Sequence, residues 1–136
     1  MAATEARSNI SERSDDYMTL PMANNSAIHG WTLVAVDSTG KAVMAEDDDT
    51  LTVMGIAAES KVNPDGGTET ITIKLSCGCR SFPFKNSESA AVGPDDIGKP
   101  CYVEDNETVT MLSAGSCVAG TVTGVDSSNV WVRFAL

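Results

Sequence analysis

The 136-residue sequence contains no glutamine, one histidine and few basic residues: nine Lys and Arg stand against 19 Asp and Glu, a formal net charge of −10. Proteins that bind nucleic acid through its phosphates need a basic surface, so this charge argues against such a partner. No apolar run approaches the roughly 20 residues of a membrane-spanning helix. Residues 1–16 lack the basic and apolar regions of a secretory signal. We therefore expect synthesis in the cytoplasm and no membrane partner.

Aromatic residues are also scarce, at 5% of the chain, so a hydrophobic core has to be built from aliphatic side chains. Val, Thr and Ile together number 32, and Gly, Pro and Asn add 23. Branched residues favour strands, whereas Gly, Pro and Asn favour turns. The composition therefore predicts a mainly β fold.

Residues 1–26 differ from the rest, because acids, serines and arginines follow one another there without a strand period. We predict an extended or flexible N-terminal arm over residues 1–26 and one β domain over residues 27–136, which should fold without the arm. A disordered tail is the alternative. An apolar cluster near the end of the arm favours docking on a partner. Its members are Tyr17, Met18, Leu20, Pro21 and Met22.

Two segments of the domain carry the plainest strand signals. Residues 28–36 are predicted to form one strand with both faces partly covered, because Trp31, Leu33 and Ala35 fall on one face and Val34 and Val36 on the other. Residues 70–79 alternate strictly between apolar and polar side chains, which predicts a strand with one face on the core. The apolar face contains Ile71, Ile73, Leu75, Cys77 and Cys79. This pattern predicts that both cysteines are small buried groups.

The four cysteines, Cys77, Cys79, Cys101 and Cys117, do not have the spacing of a zinc site. One residue separates the first two, whereas a structural zinc knuckle normally has two, and the others stand alone. Cytoplasmic synthesis favours reduced thiols. We expect four free cysteines, no bound metal and no cofactor.

Signals for catalysis are weak. His29 is the only histidine, and no glycine-flanked serine accompanies it, so we expect no catalytic residues and no enzyme activity. The acidic run at residues 46–49 lacks the spaced acids and central glycine of a calcium loop and is interpreted as a solvated turn.

Trp131 is predicted to point outward, because Val130, Val132 and Phe134 occupy the opposite set of alternate positions. An outward tryptophan is more often an interface anchor than an isolated surface residue.

Four segments resemble one known family. They are residues 55–58 (Gly-Ile-Ala-Ala), 98–103 (Gly-Lys-Pro-Cys-Tyr-Val), 118–122 (Val-Ala-Gly-Thr-Val) and 130–134 (Val-Trp-Val-Arg-Phe). Their order is similar to the strand-and-turn pattern of the small capsid decoration, or cement, proteins of tailed bacteriophages, and the resemblance covers roughly residues 27–136. Two features depart from the family pattern. Cys101 stands where an aliphatic residue is usual, and the Cys77-Gly78-Cys79 segment is not typical of the family.

The resemblance implies a small β-barrel or β-sandwich that forms a homotrimer on the outer surface of the virion capsid. There it would bind the major capsid protein and stabilise the head. The predicted capsid-binding residues of the arm are Ile10, Tyr17, Met18, Leu20, Pro21 and Met22. The predicted trimer interface contains Trp131, Arg133, Trp31 and His29.

A second function class remains open: a carbohydrate-binding or adhesive β module on a virion or cell surface. Such a module needs an exposed aromatic platform, and Trp31, Trp131 and Tyr102 are the candidates. A small enzyme is disfavoured by the missing catalytic set.

Overall fold

A computed structural model describes Arg13 and residues 15–136. This part of the chain is mainly β, as predicted, and contains no α-helix, only a short 3-10 turn at Pro94–Asp96. It has no helix long and apolar enough to span a membrane. The strands are β1 Tyr17–Pro21, β2 Ser26–Ile28, β3 Leu33–Val36, β4 Ala42–Met44, β5 Thr52–Ala57, β6 Lys61–Asn63, β7 Thr70–Lys74, β8 Phe82–Asn86, β9 Pro100–Val103, β10 Thr108–Thr110, β11 Val118–Val125 and β12 Val130–Arg133.

The second half of the chain forms a closed barrel, which is one of the two predicted architectures, with strand order β10-β8-β12-β11-β9. Strand β10 runs parallel to β8, and the other pairs are antiparallel. Alternate residues of β12 point inward, so Val130 and Val132 are fully buried. Phe134 stacks on Phe82 with ring centroids 5.4 Å apart and packs edge-on against Phe84. These aromatic and branched side chains fill the barrel core.

A second sheet has the order β1-β7-β5-β3-β4. Its two edges approach each other, because Met22, directly after β1, pairs with Ala42 at the start of β4. Strand β3 lies between two cores: Leu33 and Ala35 face the barrel core, whereas Val34 faces the core of this sheet. The expectation that both faces of this segment are covered is confirmed for β3.

The predicted boundary at residue 26 is wrong for the end of the arm. Strand β1 pairs with β7 at all five of its positions. Met22 is 3% exposed, and Met18 and Leu20 pack against the same core. Met18, Leu20 and Met22 of the apolar cluster therefore pack on the protein's own core, whereas Tyr17 and Pro21 are exposed. Residues 1–12 and Ser14, which include the predicted contact residue Ile10, lie outside the described residues.

The predicted strand over residues 70–79 ends early, because β7 stops at Lys74. The chain then turns: the Cys79 amide donates to the Ser76 carbonyl at 3.1 Å, and Cys77 and Gly78 have positive φ angles of 53° and 76°. Both Cys77 and Cys79 are exposed, so their predicted burial is wrong. The Leu136 carbonyl accepts the amides of Ser76 and Cys77, which holds the turn outside the sheet. All four cysteines are free, as expected.

The predicted strand over residues 28–36 is interrupted. Strand β2 ends at Ile28 and β3 begins at Leu33, and between them Trp31 adopts a φ of 65°. A left-handed residue breaks the alternation, so Trp31 does not share a face with Leu33 and Ala35 as the sequence pattern suggests.

Candidate binding face

Exposed aromatic side chains form a continuous surface across both sheets. Lys74 Nζ lies 6.0 Å from the ring centroid of Tyr17 and 5.8 Å from that of Trp31. Trp31 in turn lines an apolar hollow with Pro83, and Pro83 is the cross-strand partner of Trp131. Paired residues of neighbouring strands project on the same side of a sheet. We call the surface made by Tyr17, Lys74, Trp31, Pro83 and Trp131 the aromatic face.

The turn between β2 and β3 holds Trp31 in place. Its amide donates to the Ala57 carbonyl at 2.8 Å, and the Ala57 amide donates to the Thr32 carbonyl at 3.0 Å. The Gly30 amide donates to Ser60 Oγ at 2.8 Å. A bulky residue in the left-handed region costs on the order of 1 kcal/mol, so these bonds have to enforce it. The result is an indole that is 67% exposed on a fixed backbone.

Lys74 is the positive charge of the aromatic face. Cation–π contacts of this kind contribute about 0.5–1 kcal/mol at exposed sites. Among the described residues Lys74 makes no salt bridge, in contrast to Lys61, Lys85 and Lys99. It is therefore a cation without a carboxylate partner in a strongly acidic molecule.

A hollow of about 220 Å³ lies within the aromatic face, where Trp31 and Pro83 both line it. Its lining is apolar throughout, and most of the side chains belong to β8. They are Trp31, Ile56, Phe82, Pro83 and Phe84. A hollow with such a lining favours an apolar side chain over a polar ligand.

Trp131 points outward, as predicted, and is held by its own hairpin. Its Nε1 donates to Asp126 Oδ2 at 3.0 Å. Asp126 also accepts the amides of Ser128 and Asn129. The bond from Trp131, followed by these two, lowers the pKa of Asp126 below the ordinary value of 3.8. The carboxylate thus fixes the indole at neutral pH.

Acidification should release Trp131. Because the pKa of Asp126 is lowered by folding, its stabilising contribution is present above pH 3.8 and is lost as the pH falls through the lower folded value. We expect the fluorescence of Trp131, measured in a Trp31→Phe variant, to change with a midpoint below pH 3.8. The same change in an additional Asp126→Asn variant, or a midpoint above that pH, would contradict the assignment.

The other predicted interface residues lie beside the two tryptophans. His29 is exposed in the turn that carries Trp31, and Arg133 is exposed two residues after Trp131. Tyr102, a candidate for a sugar platform, is half-buried in β9. Sequence reasoning missed Lys74 and Pro83, because their proximity to the tryptophans depends on long-range strand pairing.

The acidic run at residues 46–49 is a solvent-facing turn, as predicted. The Thr50 hydroxyl and amide both donate to Asp48 Oδ1, which lowers the pKa of Asp48. Beside the turn lies a second hollow, of about 360 Å³. Its lining is mainly apolar and includes Leu51, Val53, Val118 and Ala119, and the polar residues Asp49, Thr52 and Ser116 also line it.

The described residues contain no group of three or more His, Cys, Asp or Glu side chains arranged to hold a metal ion. The exposed Cys77 donates to Asp16 Oδ1 at 3.4 Å, and reduced solvation and this carboxylate raise its pKa. Two thiols two residues apart do not by themselves complete a metal site.

The four thiols should divide into two classes. Cys77 and Cys79 are exposed, whereas Cys101 and Cys117 are buried. Burial raises the pKa of Cys101 to about 12 and also raises that of Cys117. Since the thiolate is the reactive form, we expect a thiol reagent to modify two cysteines in the native protein and four after denaturation. Mass spectrometry of the modified peptides would contradict this if Cys101 reacted as fast as Cys79.

Comparison with known proteins gives no further lead. No protein-family model, no curated protein and no solved structure matches this chain.

Proposed function

We propose that the protein is a bacteriophage capsid decoration protein. It binds the outer surface of the head as a homotrimer, contacts the major capsid protein and stabilises its lattice. The observation that carries this proposal is the aromatic face, with Trp31 and Trp131 both held outward by defined hydrogen bonds. Tryptophan and tyrosine are enriched at protein interfaces, where they supply much of the binding energy.

The charge of the protein supports an external position. A molecule with a net charge of −10 is repelled by packaged DNA, and the same charge keeps free copies soluble before they reach a capsid. The function is structural and not enzymatic, and it requires no cofactor.

Trimer formation belongs to the face that carries Trp31, His29, Trp131 and Arg133. The N-terminal segment contacts the capsid, but fewer of its residues are free to do so than the sequence predicts. Tyr17 and Pro21 are exposed, whereas Met18, Leu20 and Met22 serve the protein's own core. Three copies of a modest capsid contact give high avidity, so loss of the trimer should weaken attachment by about 100-fold or more.

Co-sedimentation with empty heads tests the proposal. The heads come from the encoding phage and lack this protein. We expect saturable binding of the wild type and at least 100-fold weaker binding of the Trp31→Ala/Trp131→Ala variant. Leu112→Ala is the matched control, because Leu112 is an exposed apolar residue outside the aromatic face. Absence of binding by the wild type would contradict the proposal.

A carbohydrate-binding module is the second candidate, favoured by the two exposed indoles. Sugar rings bind on the faces of such aromatic side chains. Tryptophan fluorescence titrated with a panel of oligosaccharides separates the two functions. Saturable binding of a sugar, lost in the Trp31→Ala variant and accompanied by no binding to heads, would replace the capsid proposal.

A further inference from the structure

We propose that Trp31 and Lys74 of one copy insert into the hollow beside the acidic turn of the next copy. The trimer is then a closed ring of three identical head-to-tail contacts. This inference rests on the trimer of the proposed function and identifies the two surfaces that form it. We call Trp31 with Lys74 the knob, and the cavity lined by Leu51, Val53, Val118, Ala119 and Asp49 the socket.

The knob protrudes and is preorganised. Trp31 is 67% exposed, and its backbone is fixed on both sides by hydrogen bonds to Ala57. Lys74 Nζ stays 5.8 Å from the indole centroid. A fixed aromatic anchor loses little conformational freedom on binding, which is typical of residues that dominate an interface.

The socket matches the knob in size and character. Its volume of about 360 Å³ falls at the lower end of the range for ligand cavities. Val118 is an apolar residue that is 51% exposed at this cavity, so covering it removes apolar surface from water. The apolar side chains of the lining can therefore bury an indole ring.

The charges of the knob and of the acidic turn indicate that a second copy of this chain occupies the socket. Lys74 makes no salt bridge among the described residues, and neither do Glu46, Asp47 and Asp49. Copies with a net charge of −10 repel one another, so a local pairing of opposite charges favours an association between them. The lysine of the knob and the acidic turn at the socket provide it.

The knob cannot reach the socket of its own chain. Trp31 bonds to Ala57 at the end of β5, whereas Thr52 and Val53, at the start of β5, line the socket. Five residue steps of strand separate these ends by roughly 16 Å. A contact between two different surfaces is heterologous, and such contacts close into rings when the rotation allows.

Charge exchange tests this contact. Light scattering after size exclusion, over a concentration series, measures self-association of Lys74→Glu, Asp49→Lys and the double variant. We expect each single variant to associate at least about 30-fold more weakly than the wild type, and the double variant to return to within about threefold of it. Lys41→Glu and Glu88→Lys, made as separate single variants at exposed positions outside the knob and the socket, are the controls, because they change the net charge by the same amounts as Lys74→Glu and Asp49→Lys.

The outcomes separate this inference from the proposed function. A monomeric wild type, single variants that remain trimeric, or a double variant as weak as the singles would each overturn the knob and socket. A wild-type trimer that binds heads, together with unaffected single variants, would leave decoration intact and refute only this contact. Rescue by the double variant with restored binding to heads would support both.

Discussion

Replacing Gly120 by alanine should destabilise the barrel severely. A Cβ atom at this position would collide with the carbonyl oxygen of Arg133 and lie 2.8 Å from Val132 Cγ1. Both neighbours belong to β12, whose backbone cannot move without disturbing the barrel core. We expect a loss of about 3 kcal/mol or more, a large part of the roughly 5–15 kcal/mol that stabilises a typical domain.

Gly124→Ala is the matched control, because it lies in the same strand and its nearest neighbour would be Trp131 Cδ1 at 3.6 Å, an ordinary contact. Its cost should stay within about 1 kcal/mol. Urea unfolding followed by circular dichroism measures both variants. Equal midpoints for Gly120→Ala and Gly124→Ala would show that β11 and β12 are not packed as described.

Deleting residues 1–22 should prevent cooperative folding of the second sheet. Strand β1 covers one edge of β7 with five pairs, and Met22 is buried in the core that contains Ile71 and Ile73. Truncating a buried methionine to alanine alone costs about 2–5 kcal/mol. Loss of the whole strand should therefore remove most of the stability, which is opposite to the result expected from the sequence alone.

Deletion of residues 1–12 is the control, because it removes none of the described contacts. Thermal melts of the two truncated proteins make the comparison, and Met22→Ala gives the intermediate case. If the protein lacking residues 1–22 melted with the cooperativity and midpoint of the shorter deletion, β1 would be a detachable arm after all.

The prediction succeeded where a local pattern and the burial of one face coincide. In β12 the alternation of Val130, Trp131 and Val132 determines which side chains enter the core, since a one-residue shift would expose two valines. The resemblance implied a small β-barrel or β-sandwich, and the structure shows the barrel in the second half of the chain. Local alternation needs no knowledge of the partner strand.

The prediction was wrong where the structure depends on hydrogen bonds between segments that are far apart in the sequence. The cluster from Tyr17 to Met22 has no evident strand period, and its burial depends on β7, which lies some 50 residues further along the chain. The Cys77-Gly78-Cys79 segment continues the alternation of β7 in sequence, yet the bonds to Leu136 take it out of the sheet. Neither β7 nor Leu136 can be identified as the partner from the residues that neighbour each segment in the sequence.

The candidate face was predicted in part. Both tryptophans were assigned to an interface, and both are exposed. Their connection was not predicted, since Lys74 meets Tyr17 through the pairing of β1 with β7, and Pro83 meets Trp131 through that of β8 with β12. The exposed position of Trp31 also depends on its positive φ angle. A glycine would have indicated such an angle in the sequence, but residue 31 is a tryptophan.

Electron cryomicroscopy of heads with and without the added protein tests the central proposal most directly. We predict threefold density on the outer surface of the shell that fits three copies of the barrel. Trp31 and Trp131 should lie between the subunits, and the N-terminal segment, with the exposed Tyr17 and Pro21, should lie near the capsid. Density from single copies, density on the inner surface, or no added density at saturating protein would contradict the account.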